Sequence, residues 1–251
     1  MKSMLILTDF SEAAFRAAEY ACELAGPLHI NRIILFHAYQ RLAASADIAG
    51  TAPISNDPQI YDNDRQVYLA SLESLGLLQD RLKPMLEPTV NIDLVAENAG
   101  LADLVDLINQ RSRNESMDMI VMGVSGKSGI EKFLLGSTTT KVLRGSEWPV
   151  LIVPPDTLLG RTIKSIVFTS DLKKLDSIPT HQLYDFLNAL PGKLKVINIE
   201  RKVGGNFLRK WKILLRDCMN CWKNMILTFI TLPGMILGKK FLLLLNSSTL
   251  R

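Results

Sequence analysis

The sequence predicts an α/β protein with a doubly wound parallel sheet, because short apolar strands alternate with helices through its first 155 residues. The run RIILFHA at 32–38 has a continuous apolar centre, as expected when both faces of a sheet are covered. The alternation itself favours right-handed βαβ units. Five strands are predicted, at 4–7, 32–38, 90–95, 117–122 and 149–153.

The first strand and helix have clear start and stop signals. Thr8, Asp9 and Phe10 turn the strand at 4–7 into a helix, and either Ser11 or Asp9 is a natural N-cap. Alanines then recur at helical spacing up to the stop signal at 26–27, Gly-Pro.

A loop and a long helix follow the second strand. Residues 41–58 are rich in Ala, Ser, Asp and Pro, which predicts a loop. An amphipathic helix is predicted at 60–86, ended by Pro84 and Pro88. Another helix is predicted at 101–111, between the third and fourth strands.

A glycine-rich loop joins the fourth strand to the next helix. Gly123, Gly126 and Gly136, followed by Ser137, have the spacing G-2x-G-9x-G-S, and the helix is predicted to begin at Ser137. Glycines let a backbone approach phosphate closely, and the N–H groups and dipole at a helix start favour negative charge. The spacing therefore predicts a phosphate-binding loop; the alternative is that these glycines only close a βα connection.

Three segments are predicted to meet where such a sheet binds ligands. Ligands of parallel α/β sheets lie beyond the carboxyl ends of the strands, at the topological switch point. The turn at 8–9, the strand end at 36–39 and the loop at 122–126 all lie on that edge.

A P-loop enzyme is the rival interpretation of this loop. Gly126, Lys127 and Ser128 match the end of a P-loop, but residue 121, where the motif needs glycine, is Val. Lys127 is then a solvent-side charge or an auxiliary phosphate contact. We expect no catalytic residue and a binding protein with at most slow ATP hydrolysis or autophosphorylation.

The charge changes sign along the chain. Residues 1–200 carry 19 Lys and Arg against 24 Asp and Glu, whereas 201–251 carry 10 against one. The first part therefore predicts an acidic soluble protein that does not bind nucleic acid. The chain enters a strand without a signal peptide, so we expect a cytoplasmic location, with no metal site.

The strand pattern restarts after the two prolines at 154–155. Residues 163–171 echo 1–9 as K-S, apolar residues and a Ser/Thr-Asp pair, and a helix at 178–190 and a strand at 194–199 follow. The sequence thus predicts one domain at 1–155 and the start of a second, similar one at 162–205.

The tail at 206–251 does not continue this pattern. Its apolar run is broken by Pro, Gly and Lys, so its uninterrupted pieces are too short for a transmembrane helix. Attachment to a membrane through the tail is one hypothesis. The preferred interpretation is a reading-frame shift near 206–207, because a neighbouring frame with plausible codons gives an acidic amphipathic helix and a strand.

These features together resemble the universal stress protein family. The resemblance rests on the glycine motif, the Leu-Thr-Asp turn at 7–9, the strand end at 35–38 and the segment WPVLIVP at 148–154. It implies a sheet of order 3-2-1-4-5 that holds ATP or a related adenine nucleotide, with Mg²⁺ as an accompanying ion. It also implies a homodimer or a pairing of the chain's own two domains, and a protein partner that the sequence does not identify.

The resemblance also implies roles for individual residues. Asp9 would bond the adenosine end of the nucleotide, and Ala38 would contact the adenine through its backbone. The other residues would line the ribose and phosphates or flank them; the full predicted set is Leu7, Thr8, Asp9, Ala38, Met122, Gly123, Ser125, Gly126, Gly136, Ser137 and Thr138. His37 is expected to be a hydrogen-bonded histidine near the core.

Overall fold

A parallel five-stranded sheet of order β3-β2-β1-β4-β5 organises the first part of the chain. The computed structural model describes residues 1–39, 58–99, 103–124, 136–170, 180–198, 226–227 and 242–246. This sheet contains β1 (Ser3–Leu7), β2 (Arg32–Tyr39), β3 (Asn91–Asn98), β4 (Met119–Gly123) and β5 (Val150–Val153). The predicted fold class and strand order are confirmed.

Four helices accompany these strands: α1 (Glu12–Ala25), α2 (Pro58–Leu82), α3 (Leu104–Asn114) and α4 (Ser137–Gly145). All five residues of β1 are buried, in keeping with its central place in the sheet. One core cluster gathers residues of β1, β2 and β4 with Ile108 of α3 and Val142 of α4. Apolar strands therefore carry the packing that fixes the strand ends in space.

Several predicted boundaries were wrong, and for three of them the structure shows a cause. Helix α2 ends at Leu82, and a 3-10 turn follows at Lys83–Met85, because Pro84 cannot continue an α-helix. Strand β3 runs on to Asn98, whose side-chain amide donates to Asp64 at 3.0 Å. Helix α3 begins at Leu104 because the Asp103 side chain accepts the Val105 N–H and caps it.

Polar groups at the amino ends of the strands bond one another. This amino edge comprises residues 2–3, 31–32, 91–93 and 115–118. The Asp118 carboxylate accepts hydrogen bonds from the N–H groups of Lys2 (2.6 Å) and Ser3 (3.1 Å), and from the Ser3 hydroxyl (3.2 Å). Arg32 donates to Asp93 and to Glu115, both at 2.8 Å.

A separate compact unit contains residues 158–251, together with residue 1 and residues 27–29. Its described elements are β6 (Ser165–Ser170), α5 (Thr180–Ala189), β7 (Lys193–Asn198), β8 (Ile226–Leu227) and β9 (Leu242–Asn246). Strand β6 pairs in parallel with β7 but antiparallel with β9, in a sheet of order β8-β7-β6-β9. The strand-helix-strand pattern predicted at 163–199 is present in the described residues of that segment.

The predicted domain boundaries at 162–205 and 206–251 remain predictions. The loop at 41–58 lies outside the described residues except for its last position, and most of the tail lies outside them too. Within the described part of the chain, no helix combines the length and apolar character needed to cross a membrane.

Candidate functional site

The carboxyl ends of β1, β2 and β4 lie side by side at the switch point of the first sheet. The chain passes from β1 to β2 on one side and returns from β3 to β4 on the other. Helix α4 follows β4 and leads into the parallel strand β5, so its N-terminus lies at this same edge. We name residues 7–11, 37–39, 122–124 and 136–138 the carboxyl edge. Predicted site residues from four segments thus lie along this one edge of the sheet.

The turn at 8–11 is held by its own short side chains. The Phe10 N–H donates to the Thr8 hydroxyl, and the Ser11 N–H donates to Asp9 Oδ1, both at 3.0 Å. Ser11 is the N-cap of α1, since its hydroxyl accepts the Ala14 N–H at 3.2 Å. Phe10 has a φ of 61°, in the left-handed region that large side chains rarely adopt. The turn therefore has a defined and locally strained conformation.

Asp9 is an exposed, charged acceptor at the end of β1. Burial is the largest single influence and alone would raise the pKa of Asp9, but hydrogen bonds from the Ser11 hydroxyl and N–H, with a smaller electrostatic contribution from nearby His37, lower the pKa below its ordinary value. Asp9 thus keeps its charge at neutral pH while it stabilises the turn. Ser11, and not Asp9, is the N-cap of α1. Asp9 can therefore accept bonds from a ribose hydroxyl or an adenine amine.

The backbone of Ala38 faces the space beyond the end of β1. Pairing of β1 with β2 ends at Leu7 and Phe36, with a last bond from the Thr8 N–H to the Phe36 carbonyl at 2.9 Å. The Tyr39 carbonyl accepts a bond from Ala99, on the β3 side. Because successive residues of a strand bond in opposite directions, the N–H and C=O of Ala38 point to the β1 side. This is the orientation that the predicted adenine contact needs.

His37 contacts this turn from the neighbouring strand. Its Nδ1 lies 2.8 Å from the Thr8 carbonyl oxygen, and its ring centroid is 4.4 Å from that of Phe10, with a tilt of 40°. The half-buried, hydrogen-bonded position predicted for His37 is confirmed. Phe10 was predicted to lie in this turn but not among the site residues, because nothing in the sequence indicates a left-handed φ at an aromatic residue.

Gly123 has a packing role that its place in the glycine motif does not indicate. A Cβ built at this position would lie 2.3 Å from the carbonyl oxygen and 2.5 Å from the carbonyl carbon of Ala13. The backbone of α1 thus packs directly on β4, which only glycine permits. The side chains of Leu7 and Met122 belong to the core cluster, so these residues can offer a ligand little beyond their backbones.

Gly136, at the N-terminus of α4, differs from Gly123 because it is not closely packed against any described residue. Gly136 is the N-cap of this helix and supplies no side-chain hydrogen bond, and Ser137 and Thr138 are exposed. A Cβ at Gly136 would meet no described heavy atom within 4 Å, and its φ of −55° suits any residue. The first N–H groups of a helix have no partner within the helix, so this end can bind an anion.

Part of the predicted loop lies outside the described residues. Ser125, Gly126 and Lys127 fall in this segment, so neither their predicted contacts nor the P-loop alternative has a structural description. The other predicted site residues all lie at the carboxyl edge.

Comparisons with known proteins identify the family of this chain. The model of the universal stress protein family matches residues 1–154. Universal stress protein MJ0531 of Methanocaldococcus jannaschii is 43% identical over 161 residues, which cover 61% of this chain and 81% of that protein. Universal stress protein MJ0577 of the same organism is 27% identical over 158 residues, covering 61% and 94%.

One solved structure is similar in fold over most of this chain. The crystal structure of a universal stress protein from Archaeoglobus fulgidus DSM 4304 covers 90% of this chain and 77% of its own, with 18% identity and a TM-score of 0.61. At that identity it shows the fold alone. The match of the family model to residues 1–154, more than half of the chain, shows that this chain belongs to the universal stress protein family.

Proposed function

We propose that this chain binds an adenine nucleotide such as ATP at the carboxyl edge of its first sheet. Its role would be that of a stress-response binding or signalling module rather than a fast enzyme. The observation that carries the proposal is the placement at one sheet edge of an exposed carboxylate (Asp9), a backbone directed past the end of β1 (Ala38) and a helix start without a side-chain cap (Gly136). Family membership supports the same conclusion.

The three groups suit different parts of a nucleotide. The carboxylate of Asp9 would accept bonds from the adenosine end, and the Ala38 backbone would recognise the edge of the base. The N–H groups of Ser137 and Thr138, and their hydroxyls, would bond the phosphates. Mg²⁺ would accompany the nucleotide on its phosphates. Among the described residues, no heavy atom would lie within 4 Å of a Cβ at Gly136, which supports an approach of the phosphates at this position.

Gly136 offers a direct test of the phosphate subsite. Gly136→Asp and Gly136→Asn place side chains of equal size at an N-cap, where both residues are favoured, so both variants should fold. Only the aspartate would repel phosphate. We expect Gly136→Asp to weaken ATP binding at least about tenfold more than Gly136→Asn does, measured by calorimetry on the full chain. Equal ATP affinities for the two variants would contradict the proposed subsite.

Adenosine is the matched ligand for this experiment. Because it has no phosphate, its affinity should differ little between Gly136→Asp and Gly136→Asn. Asp9→Asn should instead weaken ATP and adenosine by a similar factor, on the order of tenfold or more, since a charged acceptor for the adenosine end is lost. Its amide oxygen can still accept the Ser11 N–H, so the turn should persist. A loss confined to ATP, with adenosine affinity unchanged, would contradict the proposed contact of Asp9 with the adenosine end.

The setting of this activity is part of the same proposal. We place the protein in the cytoplasm, with its two domains or two copies of the chain paired, and with an unidentified protein as the receiver of the signal. Light scattering with and without ATP would measure the pairing. Release of ADP over hours would measure slow hydrolysis, and rapid turnover would overturn the proposed binding role.

A further inference from the structure

We propose that His37 is a positioning residue of this site: it ends the pairing of β1 with β2 and thereby frees the backbone of Ala38 for a ligand. This inference rests on the proposed nucleotide site and deepens it. The contact that carries it joins His37 Nδ1 to the carbonyl oxygen of Thr8 at 2.8 Å.

The chemistry of that contact fixes the proton on the ring. A carbonyl oxygen only accepts, so Nδ1 of His37 must carry the hydrogen and donate it. In the neutral ring, Nε2 is then the unprotonated nitrogen. We therefore predict that spectroscopy will find the Nδ1–H tautomer of His37. A histidine that only filled space would not require this tautomer.

The same contact explains where the β1–β2 ladder stops. In a continuing parallel ladder, the Thr8 carbonyl would next accept the N–H of Ala38. The observed register instead ends at Leu7 and Phe36, and the Thr8 carbonyl accepts a hydrogen bond from the imidazole of His37. The side chain of His37 thus replaces a backbone bond made by its own neighbour in the chain. The Ala38 N–H consequently faces the ligand edge.

His37 also braces the turn that carries Asp9. The Phe10 ring packs on the imidazole at a centroid distance of 4.4 Å, and Phe10 adopts its left-handed conformation directly after Asp9. Two contacts from one side chain therefore hold both ends of the segment 8–10. Loss of the donor at Nδ1 should release the Thr8 carbonyl and let it pair with Ala38.

Two amide substitutions separate the donor from the bulk of the ring. The amide nitrogen of Asn can take the place of Nδ1, whereas that of Gln is displaced toward the place of Nε2. We expect His37→Asn to bind ATP within about twofold of the wild-type chain, and His37→Gln to bind it about three- to tenfold more weakly, as for one lost hydrogen bond. His29→Asn serves as the control, because His29 is exposed, has a φ of 55°, and Asn tolerates that conformation.

Two readouts do not depend on ATP. Nitrogen-15 NMR of the wild-type chain should show a pyrrole-type Nδ1 and a pyridine-type Nε2 for neutral His37. Amide exchange of Ala38 should become slower in His37→Gln, because the freed Thr8 carbonyl now accepts its N–H. An Nε2–H tautomer, an unchanged or faster Ala38 exchange in folded His37→Gln, or equal ATP affinities of the Asn and Gln variants would each overturn the inference.

The design separates this inference from the function on which it rests. A wild-type chain that does not bind ATP would refute the proposed function, while the tautomer and the Ala38 exchange rate would still decide the role of His37 in the ladder. Thermal unfolding of each variant identifies a chain that fails to fold. If a variant does not fold, the tautomer of His37 in the wild-type chain tests the inference.

Discussion

The two ends of the first sheet differ in the bonding of their polar groups. At the amino edge, Asp118 accepts three hydrogen bonds and Arg32 donates to two carboxylates. At the carboxyl edge, the Ala38 backbone points past the last pair of β1, Phe10 is strained, and the N-cap of α4 supplies no side-chain bond. Polar groups that bond one another stabilise a fold, whereas groups directed into open space can bind a ligand.

Gly123 is an exception to this comparison, because it lies at the carboxyl edge but contributes to the packing of the fold. We expect Gly123→Ala to lower the free energy of unfolding by at least about 3 kcal/mol, because the new methyl group would overlap the backbone of Ala13. Chemical denaturation measures this loss. Gly136→Ala is the matched control and should change stability by less than about 1 kcal/mol. Equal stabilities of the two variants would contradict the packing role of Gly123.

Asp118→Ala should have the next largest effect, and on stability alone. Removing this carboxylate takes the acceptor away from the N–H groups of Lys2 and the buried Ser3, while the Ser3 hydroxyl keeps the Ser116 carbonyl at 3.0 Å. The loss should cost about 1–3 kcal/mol. ATP affinity should not change, since this edge is remote from the proposed site. Asp156→Ala removes an exposed carboxylate and serves as the control. A weaker affinity for ATP in folded Asp118→Ala would show that the two edges are coupled.

The ion pairs of the amino edge predict a smaller effect that depends on pH. The hydrogen bond from Arg32 is the main cause that lowers the pKa of Glu115 below 4.5. A carboxylate whose pKa is lowered in the folded state stabilises the fold above its unfolded pKa and loses this effect as the pH falls through its folded pKa. Glu115→Gln should therefore cost at most about 1 kcal/mol at pH 7, and less at pH 3. Urea denaturation at both pH values measures the difference, and a cost that grows in acid would contradict it.

Local signals in the sequence sufficed for most of the fold. Ser11 and the alanines of α1 mark that helix because capping and helical periodicity act within a few residues. The end of β3 was missed because the bond between Asn98 and Asp64 joins residues that are distant in the sequence. Contacts of this kind exist only after the chain has folded.

The candidate site shows the same limit. The glycine spacing predicted a phosphate loop, but it could not distinguish Gly123, which packs against α1, from Gly136, where a Cβ would meet no described atom within 4 Å. The interaction of His37 with Thr8 spans 29 residues, and the left-handed φ of Phe10 depends on the whole turn. The sequence pattern predicts which residues lie at this edge, while the packing of each one depends on its neighbours in space.

Amide hydrogen exchange of the full chain, with and without ATP, tests the central claim most directly because it reports on both edges at once. Nucleotide binding at the carboxyl edge should slow exchange at Ala38, Ser137 and Thr138, and leave Ser3 and Arg32 unchanged. Adenosine should slow Ala38 but not Ser137 or Thr138. Equal exchange rates at the carboxyl edge with and without saturating ATP, or slowing confined to the amino edge, would contradict the account.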